Sequence, residues 1–174
     1  MAGVPDGITL KRDRDLDGRT WEIWVRRGVF ALLPLVVLLA LLNVFGQHPS
    51  TWTTAGPAAS LKLYAPARVR SGVLYEARFH IVANRDLKNA TVRLSPGWLE
   101  GMTLNTIEPS PIGEASSNGN LTFELGHIPE GNSYLLFLQF QTNPTNVGHR
   151  PATVTLLDGD EELLHIDRTI TIFP

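Results

Sequence analysis

The stretch VLYEARFHI at residues 73–81 decides the fold of the larger part of this 174-residue chain. From Tyr75 onward apolar and polar residues alternate, and this period places alternate side chains on opposite faces of a β-strand. We therefore predict a strand that points one set of side chains into a core: Val73, Tyr75, Ala77, Phe79 and Ile81. The opposite set is predicted to face solvent: Glu76, Arg78 and His80.

The same two-residue period recurs on both sides of this strand. It predicts further strands near residues 61–65, 90–94, 103–107, 121–125, 134–140, 152–156 and 164–172. Ser117-Asn118-Gly119 and Asp158-Gly159 are typical of tight hairpin turns. Seven or eight short strands with regular turns indicate an all-β, immunoglobulin-like β-sandwich over residues 61–174, and an up-and-down barrel is the alternative.

Ahead of this domain, residues 28–45 read GVFALLPLVVLLALLNVF and contain no charged residue. Eighteen helical residues rise about 27 Å, close to the hydrocarbon thickness of a bilayer. We predict one transmembrane helix over residues 28–46, a mostly disordered tail over 1–27 in which the helix already begins near Thr20, and a Pro- and Gly-rich linker over 47–60. A signal peptide that is cleaved is the alternative.

Charge asymmetry around the apolar run predicts its orientation. Arg14, Arg19, Arg26 and Arg27 precede it, whereas the first lysine or arginine after it is Lys62. Basic residues favour the cytoplasmic side, so we expect a single-pass cell-membrane protein with a cytoplasmic N-terminus and an extracytoplasmic C-terminal domain. Aromatic and basic side chains are typical of the membrane interface, which gives five candidates: Trp21, Trp24, Arg26, Arg27 and Trp52.

Composition excludes several kinds of site. The chain has no cysteine, which rules out disulfides, thiolate metal sites and cysteine nucleophiles. An extracytoplasmic domain without disulfides favours a bacterial envelope protein. The net charge of −2 provides no basic field for nucleic acid.

No pattern in the sequence is typical of an active site. The five histidines lack the spacing of a metal site, and no nucleophile motif or phosphate-binding glycine loop is present. We expect no enzyme activity, no cofactor, no metal and no small-molecule ligand. The acidic hairpin Asp158–Glu162 leaves calcium binding open.

Several segments occur in an order that resembles a known family. They are Val82-Ala83-Asn84, LKNATVRLSPGWLEGMTL at 87–104, NLTFELGHIPEGNSYLLFLQF at 120–140, and Ala152–Thr155. Together they resemble the Ig-like surface repeat of bacteria and archaea catalogued as domain of unknown function number eleven. The resemblance spans roughly residues 61–173, and it implies a structural or adhesive role without catalytic residues.

One strand carries apolar residues on the side predicted to face solvent. Leu135 and Phe137 occupy that side, and Leu157 has the equivalent phase in a later strand. Exposed apolar clusters mark partner surfaces, so Leu135, Phe137 and Leu157 are the candidate partner-binding residues. A loop bearing Trp98 and Met102 that covers them is the alternative.

We interpret the chain as a non-catalytic, membrane-tethered Ig-like module that binds or positions another membrane or envelope protein. Its expected partners are therefore that protein and the lipid bilayer. The alternative function is a cell-wall or carbohydrate-binding adhesin, which needs solvent-facing aromatic side chains; Trp98 is the only tryptophan in the predicted folded domain.

Overall fold

The computed structural model describes residues 20–44 and 46–174, which belong to two compact units, Met1–Val44 and Phe45–Pro174. The first contains helix α1, Thr20–Leu41. Its segment Trp21–Leu41 is long and apolar enough to cross a membrane, with a mean hydropathy of 1.9. Residues 1–19 of the predicted tail lie outside the described residues.

Helix α1 ends earlier than the predicted span of residues 28–46. Asn43 has φ of 56°, a left-handed conformation that asparagine tolerates better than most residues. The Val44 amide donates to the Leu39 carbonyl and the Asn43 amide donates to the Ala40 carbonyl, the pattern of a Schellman cap. The start of α1 at Thr20 agrees with the predicted start of the helix, whereas the predicted C-terminal boundary at residue 46 is wrong.

The second unit is built from strands. Its described residues form thirteen of them and one 3-10 turn, Pro96–Trp98. The strands are β1 Pro49–Ala55, β2 Ala59–Pro66, β3 Arg68–Arg70, β4 Leu74–Ala83, β5 Leu87–Leu94, β6 Met102–Glu108, β7 Gly113–Ser117, β8 Asn120–Ile128, β9 Ser133–Thr142, β10 Gly148–Pro151, β11 Val154–Asp158, β12 Glu161–Ile166 and β13 Thr169–Phe173.

Three sheets enclose one core. Two are five-stranded, in the orders β1-β2-β4-β9-β6 and β12-β11-β5-β8-β7, and the third has the order β10-β13-β3. All neighbouring strands are antiparallel except β13 and β3. Apolar side chains from all three sheets form one buried cluster. The predicted all-β, Ig-like sandwich preceded by one apolar helix is confirmed, with more short strands than the seven or eight predicted.

The predicted inner face of the central strand is confirmed with one exception. Tyr75, Ala77, Phe79 and Ile81 are buried in the core. Val73 is exposed and lies before the first residue of β4, so its predicted inward position is wrong. The alternation holds only where ladder hydrogen bonds to β2 and β9 keep the chain extended.

The predicted linker over residues 47–60 is largely β-structure. β1 pairs along its whole length with β2, from Pro49 opposite Pro66 to Ala55 opposite Ser60. Small and polar residues hide the strand pattern because only Trp52 contributes a large apolar side chain. Trp52 packs against the core, so the domain's own packing accounts for a residue predicted to lie at the membrane interface.

Candidate binding face of the five-stranded sheet

The candidate site lies on the side of the β1-β2-β4-β9-β6 sheet that points away from the core, here called the outer face. Strand register forms two adjacent rows on it. In one row Tyr64 of β2 lies opposite Arg78 of β4, and Arg78 lies opposite Phe137 of β9. In the next row His80 lies between Lys62 and Leu135.

The two apolar residues predicted here differ in exposure. Leu135 is 52% exposed, whereas Phe137 is half-buried. Leu135 lines a shallow depression of about 460 Å³ together with polar and basic side chains: Thr51, Lys62, Tyr64, Arg78 and His80. The outer face therefore combines an exposed aliphatic side chain with a group of hydrogen-bond donors.

Arg78 connects the aromatic and charged parts of this face. Its guanidinium lies 5.4 Å from the Tyr64 ring centroid, and its Nη2 is 2.6 Å from Glu76 Oε1. Glu76 lines a neighbouring depression, on the other side of Tyr64, with Gln47, Pro49 and Pro66. Both partners of the ion pair are partly exposed, so the pair adds little to stability and leaves donors accessible to a ligand.

Leu157 does not belong to this face, and its predicted role is wrong. It lies in β11 of the other five-stranded sheet and is 3% exposed. β11 keeps an unbroken register with β5, so Leu157 stays on the side opposite Leu156, where it is buried without belonging to the core cluster. Leu156 and Leu157 are both buried.

The loop bearing Trp98 and Met102 does not cover Leu135 and Phe137. Trp98 is buried in the core, with its ring 5.7 Å from that of Phe79 and 5.4 Å from that of Phe140. Phe79 and Phe140 lie on the inner side of the sheet, opposite to Leu135 and Phe137. A buried Trp98 also provides no solvent-facing platform for a carbohydrate, which removes the support for the adhesin alternative.

A second arginine, missed by the sequence analysis, lies inside the domain. The Arg168 guanidinium lies 4.4 Å from the Trp52 ring centroid and 5.0 Å from that of Trp98. Its Nη2 donates to the Pro66 carbonyl, and Nε and Nη1 have no hydrogen-bond partner in the described part of the chain. Burial lowers the pKa of Arg168 to about 10, and the contacts join β1 to the 3-10 turn.

Tyr75 extends this buried cluster. Its hydroxyl lies 3.0 Å from Met102 Sδ, and its ring stacks on Phe140 at 5.3 Å. Burial raises the pKa of the Tyr75 phenol well above its ordinary value, and the Arg168 charge offsets part of that shift. Because the phenol is enclosed by the core, we assign it a structural role.

The acidic hairpin is engaged in contacts within the domain. Asp158 Oδ1 accepts from the Asn89 amide at 2.8 Å, and Glu161 Oε2 accepts from Arg85 at 2.9 Å. Across residues 20–44 and 46–174, no group of three or more His, Asp or Glu side chains has the arrangement of a metal site.

The remaining predicted interface residues belong to α1. Trp21 and Trp24 are exposed, and the Arg27 guanidinium lies 5.2 Å from the Trp24 ring centroid. Arg26 is also exposed. Trp21, Trp24, Arg26 and Arg27 thus occupy the first two turns of a helix that is apolar from Gly28 onward.

The apolar half of the outer face was predicted from the sequence, whereas the basic half was not. Alternation had already assigned Arg78 and His80 to the solvent side. The same reasoning applied to the predicted strand 61–65 places Lys62 and Tyr64 outward. Only the order β2-β4-β9 brings these side chains beside Leu135 and Phe137, and that pairing joins strands that are far apart in sequence.

Comparison with known proteins gives no family. No protein-family profile and no curated protein matches the chain. Solved structures that it resembles include a CARDB domain from Pyrococcus furiosus in complex with di-metal ions, at 17% identity and a TM-score of 0.38, covering 69% of this chain and 98% of that one.

Two further solved structures have similar scores. CaCohA2 from Clostridium acetobutylicum is 13% identical over 61% of this chain and 85% of its own, with a TM-score of 0.45. AvmM, which catalyses macrocyclization in alchivemycin A biosynthesis, is 9% identical over 74% of this chain and 90% of its own, with a TM-score of 0.42. At these scores no ligand or activity carries over to this chain.

Proposed function

We propose that this chain is a non-catalytic, membrane-tethered Ig-like module whose outer face binds another membrane or envelope protein. The observation that carries the proposal is the exposed Leu135, which lines a depression with Lys62, Arg78 and His80 on the five-stranded sheet. An aliphatic side chain that is half-exposed in mid-strand contributes little to folding, whereas burial against a partner stabilises a complex.

The lining of the depression supports one kind of partner chemistry. It includes Lys62, Arg78 and His80 and no carboxylate; Glu76, outside the lining, is paired with Arg78, so Lys62 provides the positive charge that is not in an ion pair within the described residues. A partner surface with an apolar side chain flanked by Asp or Glu complements this arrangement. Steering by opposite charge then favours encounter in the correct orientation, so binding should weaken as salt concentration rises.

The tether is proposed from α1 and its flanks. A 21-residue apolar helix suits a membrane span, and the arginines before it favour a cytoplasmic N-terminus. On this proposal the β-domain lies outside the cytoplasm of a bacterial cell. We also propose that the domain is related to the surface repeat of domain of unknown function number eleven, which it resembles and which would suit this location.

Site-specific photocrosslinking tests the proposed face. The full chain carries a photoreactive amino acid at Leu135 or, as a matched control, at Ile112, which is also exposed and apolar but lies outside the outer face. We expect a discrete adduct in membranes from the Leu135 position and none from Ile112. Equal adducts from both positions, or none from either, would contradict the proposed face.

A reporter that is active only outside the cytoplasm tests the tether separately. Fused after Pro174, it should be active, and the chain should remain in the membrane fraction after an alkaline wash. An inactive reporter would contradict the orientation. Release into the soluble fraction would contradict the tether and leave the crosslinking result intact.

A further inference from the structure

The end of the β-domain at which β1 begins carries three exposed aliphatic side chains. Val73 and Leu74 lie where the chain enters β4, and Val147 lies in the loop before β10; their exposures are 40%, 47% and 47%. In the described part of the second unit the other exposed large hydrophobic side chains are only Ile112 and Leu135. We call residues 71–74 and 143–147 the tip.

Hydrogen bonds join the two loops of the tip. The Val73 amide donates to Thr142 Oγ1 at 3.1 Å, and Thr142 Oγ1 lies 2.8 Å from the Arg70 carbonyl oxygen. Asn146 of the second loop is buried and donates through Nδ2 to the carbonyl of Gly101 at 3.0 Å. The aliphatic side chains are therefore presented by a fixed backbone, although exposing them does nothing for the fold.

Positive charge adjoins the tip. Arg68 and Arg70 of β3 are exposed, and within the described part of the chain neither forms a salt bridge. The carboxylates at this end of the domain have polar partners close by: Glu76 lies 2.6 Å from Arg78, Glu100 lies 3.6 Å from Arg150, and Asp167 accepts from Thr153 at 2.9 Å. Among the side chains beside the aliphatic residues, those left without an ion pair are therefore the basic Arg68 and Arg70.

The chain enters the domain at the same end. Gln47 Nε2 donates to the Leu74 carbonyl at 2.9 Å, which places Gln47 beside the tip. Gln47 follows Leu41, the last residue of α1, by only six residues. Six extended residues reach at most about 20 Å, so the tip is within reach of the headgroups around a helix that spans a bilayer.

We propose that the tip seats the β-domain on the surface of the bilayer that α1 crosses. Val73, Leu74 and Val147 enter the interface between headgroups and acyl chains, while Arg68 and Arg70 contact anionic headgroups. This inference rests on the proposed membrane tether but not on the identity of the protein that binds the outer face. The seated domain leaves the outer face of the sheet free for that protein.

Spin labelling of the full chain in lipid nanodiscs tests the seating. The chain has no cysteine, so Val73→Cys, Val147→Cys and the control Ile112→Cys each give one labelling site. In discs of mixed phosphatidylcholine and phosphatidylglycerol, labels at positions 73 and 147 should collide severalfold less with a water-soluble nickel complex than the label at 112. The same two labels should collide more with oxygen, which concentrates in lipid.

Removing the charge tests the headgroup contact. Combining Arg68→Glu and Arg70→Glu with the label at 73 should raise the nickel collision rate of that label to the level of position 112. Discs of phosphatidylcholine alone should raise the same rate by a smaller amount. Melting of the charge-reversed chain should change little because both arginines are exposed.

Three results would overturn the seating. One is equal nickel access at 73 and 112 in discs that contain phosphatidylglycerol. Another is protection at 73 that is insensitive to charge reversal. The third is protection that persists in detergent and grows with protein concentration, which would mean that a second copy covers the tip. The collision rates are measured only on protein that co-migrates with the nanodiscs. A failure of the tether is therefore detected separately, as loss of the protein from the nanodisc fraction.

Discussion

Two arginines in this domain lie over aromatic rings, one on the surface and one inside. Arg78 lies 5.4 Å from the Tyr64 ring on the outer face, with half of its side chain exposed. Arg168 lies between Trp52 and Trp98 and is 7% exposed. The contact type is the same, yet burial makes one arginine part of the fold and leaves the other available to a partner.

The buried side of this comparison predicts the largest effect. Phe79 packs against Trp98, which in turn lies over Arg168. Phe79→Ala should lower the free energy of unfolding by about 3–5 kcal/mol, because the cavity adds to the lost burial. Chemical denaturation measures this loss. A change below about 1 kcal/mol would show that the core does not depend on this contact.

Arg168→Ala should have the next largest effect. It removes a side chain that fills the space between two tryptophans, one hydrogen bond and a cation–π contact worth up to about 2 kcal/mol when desolvated. We expect a loss of about 2–4 kcal/mol, after allowing for two nitrogens that are buried without partners. Arg168→Lys should recover only part of it, since lysine lacks the planar group that stacks.

Alkaline pH should affect the buried cluster through Tyr75. Its pKa is raised in the folded state, so the phenol stays protonated there while the unfolded chain ionises above pH about 10. The contribution of the protonated Tyr75 phenol to the free energy of unfolding is thus fully present below that pH. It falls as the pH rises, by about 1.4 kcal/mol at pH 11.

The matched variant Tyr75→Phe isolates this effect. Arg168, whose pKa is lowered to about 10, acts in the opposite direction above that pH in both proteins. Denaturation at pH 8 and pH 11 should therefore show a larger loss in the wild type than in Tyr75→Phe. Equal losses would mean that the phenol ionises inside the folded domain.

The exposed side of the comparison predicts a small effect. Arg78→Ala should change the free energy of unfolding by less than about 1 kcal/mol, because exposed ion pairs and exposed cation–π contacts are each worth little. The measurement is the same denaturation experiment used for Arg168→Ala. A loss as large as that of Arg168→Ala would remove the distinction between the two arginines.

Much of the sandwich could be predicted because local alternation in β4 and β8 reports directly which side is buried. Phe79 and Phe123 illustrate this, since each lies in a run of strict alternation and each is buried. In β9 the alternation is clear only around Phe140, which Gln139 and Gln141 flank. The outer faces of these strands follow from the same period.

Other features depend on contacts that no local pattern encodes. β1 has one large apolar residue, and its strand identity comes from pairing with β2. Leu157 is buried on the side of β11 that faces away from the core cluster, which its phase in the strand does not reveal. Arg168 reads as a surface residue, yet the chain beyond β12 carries it between two tryptophans from distant segments. α1 ends where Asn43 adopts a left-handed conformation, and the apolar residues on both sides of Asn43 give no sign of this end in the sequence.

The most direct measurement of the central claim pairs stability with binding in one double variant. Leu135→Ser with Phe137→Ser should leave the Tm of the full chain nearly unchanged, since Leu135 is exposed and Phe137 is half-buried on the outer face. The same change should abolish the adduct formed by a photoreactive group at Arg78, beside both residues. A large fall in Tm, or an adduct of unchanged yield, would contradict a partner surface on the outer face.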